Sequence, residues 1–428
     1  MSLPRYPEYK DSRVAWLAEV PEHWEVTALK RGFQVVGGST PKSDNEAYWD
    51  GEIIWVTPSD LSKLSSFEVS NSQRKITADG LSSCGTALVP IGSIILSTRA
   101  PIGSLAIADS ELCTNQGCKA LVPNYNNNSR FYAYFLSVAT GELNIRGKGT
   151  TFLELSGDEL GSFKATFPTA LEQTAIAAFL DCETGKIDML VTEQEKLIAL
   201  LMEKRQAVIS HAVTKGLNAA ATMKDSGIEW LGEVPEHWEV KRLKHNLRLL
   251  TGKTERREYP VALENIESGT GRFIETETEF EGEGIAFEPG DILFGKLRPY
   301  LAKAYLAERV GEAVGDFHVM RPVDGVAGRF AQHQILSGNF IALVDSSTFG
   351  AKMPRVSWEF MGNMPFASPL IEEQTAIATF LDQEIAKLDE LAAEAQRGIE
   401  LLKERRSALI SAAVTGKIDV RGVDELKR

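Results

Sequence analysis

The sequence predicts an α+β protein: two β-rich α/β bodies separated by two long helices packed as an antiparallel coiled coil, all on a pseudo-two-fold internal repeat. Three observations carry that prediction. Residues 171–216 contain no proline and repeat apolar residues at helical spacing: Ile176, Leu180, Ile187, Leu190, Leu197, Leu201 and Val208. The stretch recurs, with EQTAIAAFLD at 172–181 returning as EQTAIATFLD at 373–382, an offset of 201 (172 to 373). A second repeat opens each half: WLAEVPEHWEV at 16–26 returns as WLGEVPEHWEV at 230–240, an offset of 214 (16 to 230). Internal repeats govern the whole architecture when they are present. Here they divide the chain into body, strut, body and strut.

In chain order, residues 1–168 form the first body and 169–222 a central helical spacer. Residues 223–368 form the second body and 369–428 a distal helical spacer. The first body carries short β-type runs bounded by turn residues, at 52–58, 92–98 and 104–108. A helix is expected at 129–140, where Phe131, Tyr134, Phe135 and Val138 share a face. In the first strut, positions 180, 187, 194, 201 and 208 form a seven-residue register interrupted only by Gln194. A continuous helix of this length would span about 65 Å, although Gly185 makes a break near 181–185 plausible. The second body repeats the style at 291–294, 301–306 and 317–320, with a helix expected at 328–336. Glu275, Glu277, Glu279, Glu281 and Glu283 alternate as on the solvent face of a strand or hairpin. In the second strut, Ala395 and Gly398 replace Gln194 and Leu197 and would allow closer helix approach.

Composition excludes several classes. A chain of 428 residues exceeds one core, and 43% hydrophobic with 25% charged residues is ordinary for a soluble protein. No apolar run is long enough to cross a bilayer and the N-terminus lacks a signal-peptide core, so a cytoplasmic location with no membrane is expected. Cys84, Cys113, Cys118 and Cys182 make no zinc spacing and read as reduced thiols. A net charge of −13 argues against indiscriminate coating of nucleic acid. The bodies are nearly balanced, however: 12 basic and 14 acidic groups in 25–168, and 16 and 18 in 239–368. Enzyme signatures fail. Gly252-Lys253-Thr254 lacks the earlier glycine of a phosphate loop, that position being Leu247. Neither PEHW segment has a nucleophile or a second histidine nearby.

Several motifs occur in order, some of them duplicated: VPEHWEV in each half, GGSTPKSDNEAYWDGEIIWVTPSDL at 37–61, NQGCKALVP at 115–123, GTTFLELSGDEL at 149–160, EQTAIAAFLD with its copy, and VTGKID at 414–419. In these the chain resembles the specificity (S) subunit of type I restriction–modification systems over essentially its whole length. The resemblance implies two target-recognition domains, each reading one half of a split double-stranded DNA target, with the helices setting the spacing. It also implies docking of two methyltransferase (M) subunits and of restriction/motor (R) subunits. The chain itself would be non-catalytic, with no cofactor of its own; S-adenosylmethionine, ATP and Mg would belong to the partners. A duplicated scaffold that binds no DNA is the alternative reading.

DNA contacts are expected from basic, amide and hydroxyl side chains on the loops of the bodies, phosphate contacts setting position and base contacts setting sequence. In the first body these are Thr40, Lys42, Arg74, Arg99, Asn115, Gln116, Arg146, Lys148 and Thr151. In the second they are Lys253, Arg256, Arg257, Lys296, Arg298, Tyr300, Lys303, Lys352 and Arg355. Trp24, Trp238, Gln173 and Gln374, at the repeated junctions, are the candidate partner-binding residues. Packing of the two tryptophans against the strut ends is the simpler reading.

Overall fold

The computed structural model describes residues 3–99, 101–124, 126–148, 153–254, 259–276, 283–348, 350 and 352–422. By contacts the chain divides into two compact units, residues 1–193 with 398–428, and residues 194–397. Each unit therefore takes a body, the opening of one long helix and the closing turns of the other.

In the first unit, among the described residues, the main sheet orders its strands Phe33–Gly37, Cys118–Pro123, Ile94–Ser97, Leu105–Ala108 and Glu68–Val69. The first four pair antiparallel and the last is parallel to its neighbour. Ile94–Ser97 is buried along its whole length, which explains an unbroken apolar run in place of alternation. A smaller sheet sets Cys113–Thr114 parallel to Trp49–Val56. The helix Ser129–Val138 covers the main sheet. Its N-cap Asn128 accepts from the backbone N–H groups of Arg130 and Phe131, and Phe131, Tyr132, Tyr134 and Phe135 are buried.

The second unit repeats this plan. Leu247–Leu250, Phe317–Pro322, Ile292–Gly295 and Ala304–Leu306 form the antiparallel sheet, and Gly311–Val314 pairs parallel with Pro260–Val261. Gly328–Ile335 is the covering helix. The correspondence locates the length difference between the halves. The first sheet strand is offset by 214 (33 to 247), the buried central strand by 198 (94 to 292) and the strand closing each body by 201 (164 to 365). The second body is therefore shortened between its first and central strands and partly lengthened again later.

The first long helix, Ala170–Lys215, is one continuous element of 46 residues. The expected break at 181–185 does not occur. Gly185 is exposed, and a Cβ built there meets nothing within 4 Å, so the helix bears only its propensity cost of about 1 kcal/mol. The second long helix is Ile371–Val414. In the first unit Ile176 and Leu180 from one helix share a core with Ile410, Ala413 and Val414 from the end of the other, so the segments run antiparallel. In the second unit Ile209, Ala212 and Val213 meet Ile377, Ala378 and Leu381 in the same way. The apolar register is not buried throughout: Leu180 and Ile187 are buried, but Leu190 and Leu197 are about half exposed. Gly398 also departs from expectation. A Cβ there would meet nothing within 4 Å, so no close helix approach depends on it. No helix among the described residues is long and apolar enough to cross a membrane. Glu277, Glu279 and Glu281 lie outside the described residues.

The opening repeat folds into one small hairpin in each unit, Tyr9–Asp11 with Glu19–Pro21, and Met223–Asp225 with Glu233–Pro235. Its two turn positions are left-handed in both copies: Arg13 and Ala18 (φ 59° and 54°), and Gly227 and Gly232 (φ 72° and 62°). Ala18/Gly232 is the single difference between the eleven-residue repeats. Left-handed strain at a Cβ-bearing residue costs about 1–2 kcal/mol, more than the 0.4–1 kcal/mol that glycine loses through its freer unfolded chain. Ala18→Gly is therefore expected to raise stability by about 0.5–1 kcal/mol and Gly232→Ala to lower it by a similar amount. Denaturant midpoints of the full chain check both signs.

Candidate nucleic-acid interface and the clamps behind it

The most repeated residues build the junction between body and helix. Glu172, in the first turn of the first long helix, is buried and receives three groups. His23 Nε2 lies 2.8 Å from its Oε1, the Trp24 indole N–H donates to Oε1 at 3.4 Å, and the Thr169 hydroxyl donates to Oε2 at 2.9 Å. Glu373 receives His237 at 2.7 Å and the Trp238 N–H at 3.2 Å. Both indoles are fully buried. Each removes on the order of 200 Å² from water, roughly 5 kcal/mol of transfer free energy. Next in sequence, Gln173 donates to the Pro168 carbonyl at 2.9 Å and accepts from the Asn128 backbone N–H at 2.8 Å. Gln374 does the same with the Pro369 carbonyl (2.8 Å) and the Ala327 N–H (2.8 Å). Each glutamine thus joins the start of a long helix to the start of the body's covering helix. The helix ends complete the clamp. A Cβ at Gly416 would lie 2.3 Å from Pro21, and one at Gly216 would lie 3.3 Å from Trp238; both glycines are left-handed. Trp24, Trp238, Gln173 and Gln374, expected to bind partners, are occupied within the chain.

A further pair of networks escaped sequence reading. Asp181 accepts from Arg130 Nε and the Tyr134 hydroxyl, each at 2.7 Å, while Asp382 meets Arg329 Nε and His333 Nε2, each at 3.0 Å. Burial pushes the His333 pKa down, against the pull of Asp382. The available signal was the four-residue spacing, 130 to 134 and 329 to 333, facing an aspartate shared by the repeats.

In the first body the candidate DNA residues fall into two neighbourhoods. Thr40 hydrogen-bonds Gln116, and the Ser39 N–H donates to the Thr114 carbonyl at 3.0 Å. Trp55 donates to the Ser39 carbonyl (2.9 Å), Trp49 to the Lys42 carbonyl (3.2 Å), and the Arg74 guanidinium lies 3.6 Å over the Trp49 ring. Asn115 Oδ1 accepts from the Gly117 N–H at 3.0 Å. Thr40, Lys42, Arg74, Asn115 and Gln116 are therefore brought together. Arg99 pairs with Glu154 (3.2 Å), whose backbone also bridges Lys148, and Lys148 reaches Glu159 (2.7 Å). Arg146 lies over the Phe163 ring at 5.1 Å. Thr151 lies outside the described residues, as do Arg256 and Arg257.

In the second body Lys296, Arg298 and Arg355 come together. The Arg298 N–H donates to the Pro354 carbonyl at 2.8 Å, and the Val356 N–H to the Lys296 carbonyl at 3.0 Å. Arg298 is itself left-handed (φ 50°), a conformation that non-glycine residues adopt at some energetic cost and that clusters at functional loops. Asp316, absent from the sequence candidates, pairs with Lys296 at 3.6 Å and Arg355 at 2.8 Å. Tyr300 is half exposed and Lys352 is exposed. Lys303 instead donates to the Leu263 carbonyl at 2.7 Å, and burial pushes its pKa down. Lys253 pairs with Glu283.

The same framework thus carries different charges in the two units. Thr98 N–H donates to the Gly117 carbonyl and Leu155 N–H to the Thr98 carbonyl; Lys296 and Val356 make the corresponding bonds to Asp316 and Lys296. Gly117 and Glu154 in one unit stand where Asp316 and Arg355 stand in the other. This is a tandem-duplicated protein with two related bodies, each clamped to a helix pair and bearing unlike polar surfaces.

Comparison with known proteins agrees. Residues 21–198 match the family model of the type I restriction modification DNA specificity domain. The type I restriction enzyme MjaIX specificity subunit of Methanocaldococcus jannaschii is 27% identical over 354 residues, 81% of this chain and 77% of that protein. Two solved structures share the fold. One chain, from work on complex assembly and conformational transition of the type I R-M system, gives a TM-score of 0.67 at 15% identity, covering 92% of this chain and 98% of its own. The HsdS subunit from Thermoanaerobacter tengcongensis gives 0.57 at 14%, covering 93% and 98%. Over most of its length the chain is similar to the specificity subunits of type I restriction–modification systems.

Burial opposes ionisation of Glu172, yet hydrogen bonds from His23 and Thr169 outweigh it and hold the carboxyl below its ordinary 4.5. A carboxyl depressed in the folded state lends stability that is fully present above its unfolded pKa and is lost as the pH falls through the folded one. Glu172→Gln is expected to cost about 1–3 kcal/mol at neutral pH and to flatten the loss of stability below about pH 4.5. Urea titrations at pH 3 to 7 measure both; an unchanged acid slope would assign the titration elsewhere.

Proposed function

We propose that this chain selects the double-stranded DNA sequence on which partner subunits act, each body reading one half of a bipartite, asymmetric target. The observation that carries the reading is the swap of polar groups on one shared framework: Thr98, Gly117 and Glu154 against Lys296, Asp316 and Arg355. Two readers of one construction with different side chains specify unlike half-sites, because base discrimination resides in donor and acceptor pattern and not in backbone. Arg298 and Arg355 are suited to guanine, whose O6 and N7 a guanidinium contacts bidentately. Asn115 and Gln116 suit adenine for the same geometric reason.

In this reading residues 1–168 and 223–368 are the readers. The helical stretches 169–222 and 369–428 set the gap between half-sites and receive two methyltransferase subunits, with restriction/motor subunits outside them. The specificity chain is non-catalytic and holds no cofactor; S-adenosylmethionine, ATP and Mg act in the partners, in the cytoplasm. A restriction–modification system needs the modifying and cleaving activities aimed at one sequence, and a shared non-catalytic reader does so with one surface.

Lys296→Ala with Arg298→Ala is expected to weaken binding through the second half-site by about 1–3 kcal/mol per lost base contact, leaving preference at the first half-site intact. Competition binding with duplexes altered in one half at a time reads this out. Equal loss of discrimination in both halves would contradict two independent readers. Removing seven residues from the second long helix is expected to change the preferred gap while preserving both half-site sequences; selection from randomised-gap duplexes would show an unchanged gap if the helices do not set it.

A further inference from the structure

A cleft of about 1040 Å³ opens in the first unit beside the strand Phe33–Gly37. Lys30, Gln34, Lys119, Lys148, Asp158 and Glu159 line it together with two serines. Of the three lysines, Lys148 is paired with Glu159. Lys30 and Lys119 have no carboxylate partner among the described residues.

The position of Lys119 follows from the fold. It lies on the strand Cys118–Pro123, in register with Gly37 on the edge strand and Leu96 on the buried one. A Cβ at Gly37 would lie 3.9 Å from its Nζ, and one at Gly157 would lie 3.9 Å from its Cε, so two glycines flank the side chain. Gly157 opens the short helix Gly157–Ser162 behind N-cap Ser156.

The second unit fills the corresponding place. Its short helix Trp358–Met361 opens behind N-cap Ser357, so Trp358 stands where Gly157 stands. Its strand Phe317–Pro322 carries His318 where Lys119 lies, in register with Phe294 as Lys119 is with Leu96. The Trp358 ring packs on His318 at 5.8 Å between centroids, and His318 is buried with Nε2 on the Val356 carbonyl at 3.1 Å. Burial pushes the His318 pKa down, which favours the uncharged ring. One unit thus keeps an open cleft with two cations that have no carboxylate partner among the described residues, while the other packs an aromatic over a buried imidazole.

The cleft adjoins the candidate reading surface on two sides. Gly37 leads into the loop bearing Thr40 and Lys42, and Lys148 shares Glu154 with Arg99. Ammonium groups act as compact point charges that suit phosphate without base preference. We propose that the cleft of Lys30, Lys119 and Lys148 seats a backbone phosphate of double-stranded DNA, a contact the second unit lacks because Trp358 and His318 occupy its place. The proposal rests on the DNA-reading function above. It makes the first reader the one held more by charge.

The test uses the full chain assembled with its methyltransferase partner and measures duplex affinity against salt concentration. Lys30→Ala with Lys119→Ala is expected to reduce the slope of log K against log salt by roughly 1, one neutralised phosphate contributing about 0.9. The loss should be alike on target and unrelated DNA. Gly157→Trp, which copies the filling found in the second unit, should reduce the slope with both lysines present, and Lys30→Arg with Lys119→Arg should preserve it. Circular dichroism and melting verify that each variant is folded. An unchanged slope in the folded alanine variant would overturn the cleft assignment while wild-type binding leaves the DNA-reading function standing; a wild-type complex without salt-dependent DNA binding would overturn both. Inorganic phosphate binding to the wild-type chain by calorimetry, combined with an unchanged DNA slope, would reassign the cleft to free anions and reject the DNA contact.

Discussion

A carboxylate in the first turn of each long helix, buried at Glu172 and partly buried at Glu373, organises this molecule. Glu172 gathers His23, Trp24 and Thr169, and Glu373 gathers His237 and Trp238. An acid at that position also suits the positive end of the helix macrodipole. The adjacent glutamine then ties the helix start to the covering helix of the body through two backbone groups. At the buried members, Glu172, Gln173, Gln374 and the two indoles, losing a partner leaves a buried donor or acceptor unsatisfied, which costs more than a typical hydrogen bond contributes. That asymmetry explains why EQ and PEHW recur almost unchanged while the bodies diverge: the junction has few acceptable alternatives, and an exposed reading loop has many.

The bodies show what divergence leaves intact. Four strands of the main sheet with their antiparallel pairing, one parallel pair and the covering helix are shared, whereas the groups on the loops change sign or size. Gly117 becomes Asp316, Glu154 becomes Arg355 and Gly157 becomes Trp358. In an acidic chain of net charge −13, unpaired cations on a body surface stand out as candidates for phosphate. Lys30 and Lys119 are such cations; Lys296 and Arg355 are restrained by Asp316.

Much of the fold was legible because a repeat converts one reading into two. The long helices, the buried strands at 94–97 and 292–295 and the covering helices follow from periodicity and apolar runs. The common topology of the bodies was not legible. Strand pairing uses backbone groups, and any β-tolerant apolar residue preserves it, so sequence identity fades before pairing does. The continuity of the first helix was hidden by Gly185, whose cost is small against tertiary packing. The clamp motifs were visible as motifs, but their inward role was not, because His23 and Glu172 are 149 residues apart. Asp316 was missed for a related reason: it lies 20 residues from Lys296 and 39 from Arg355, and only the sheet brings the three together. The candidate loop residues could be named by chemical type alone, since which of them faces a common surface depends on pairings such as Trp49 under Arg74.

Two unlike readers on one duplicated scaffold should specify one split sequence. Mapping methylated bases across the genome of cells that express the chain with its methyltransferase partner tests it most directly. The expected result is a single recurring motif of two dissimilar parts separated by a fixed number of unspecified bases. An uninterrupted or palindromic motif would contradict it.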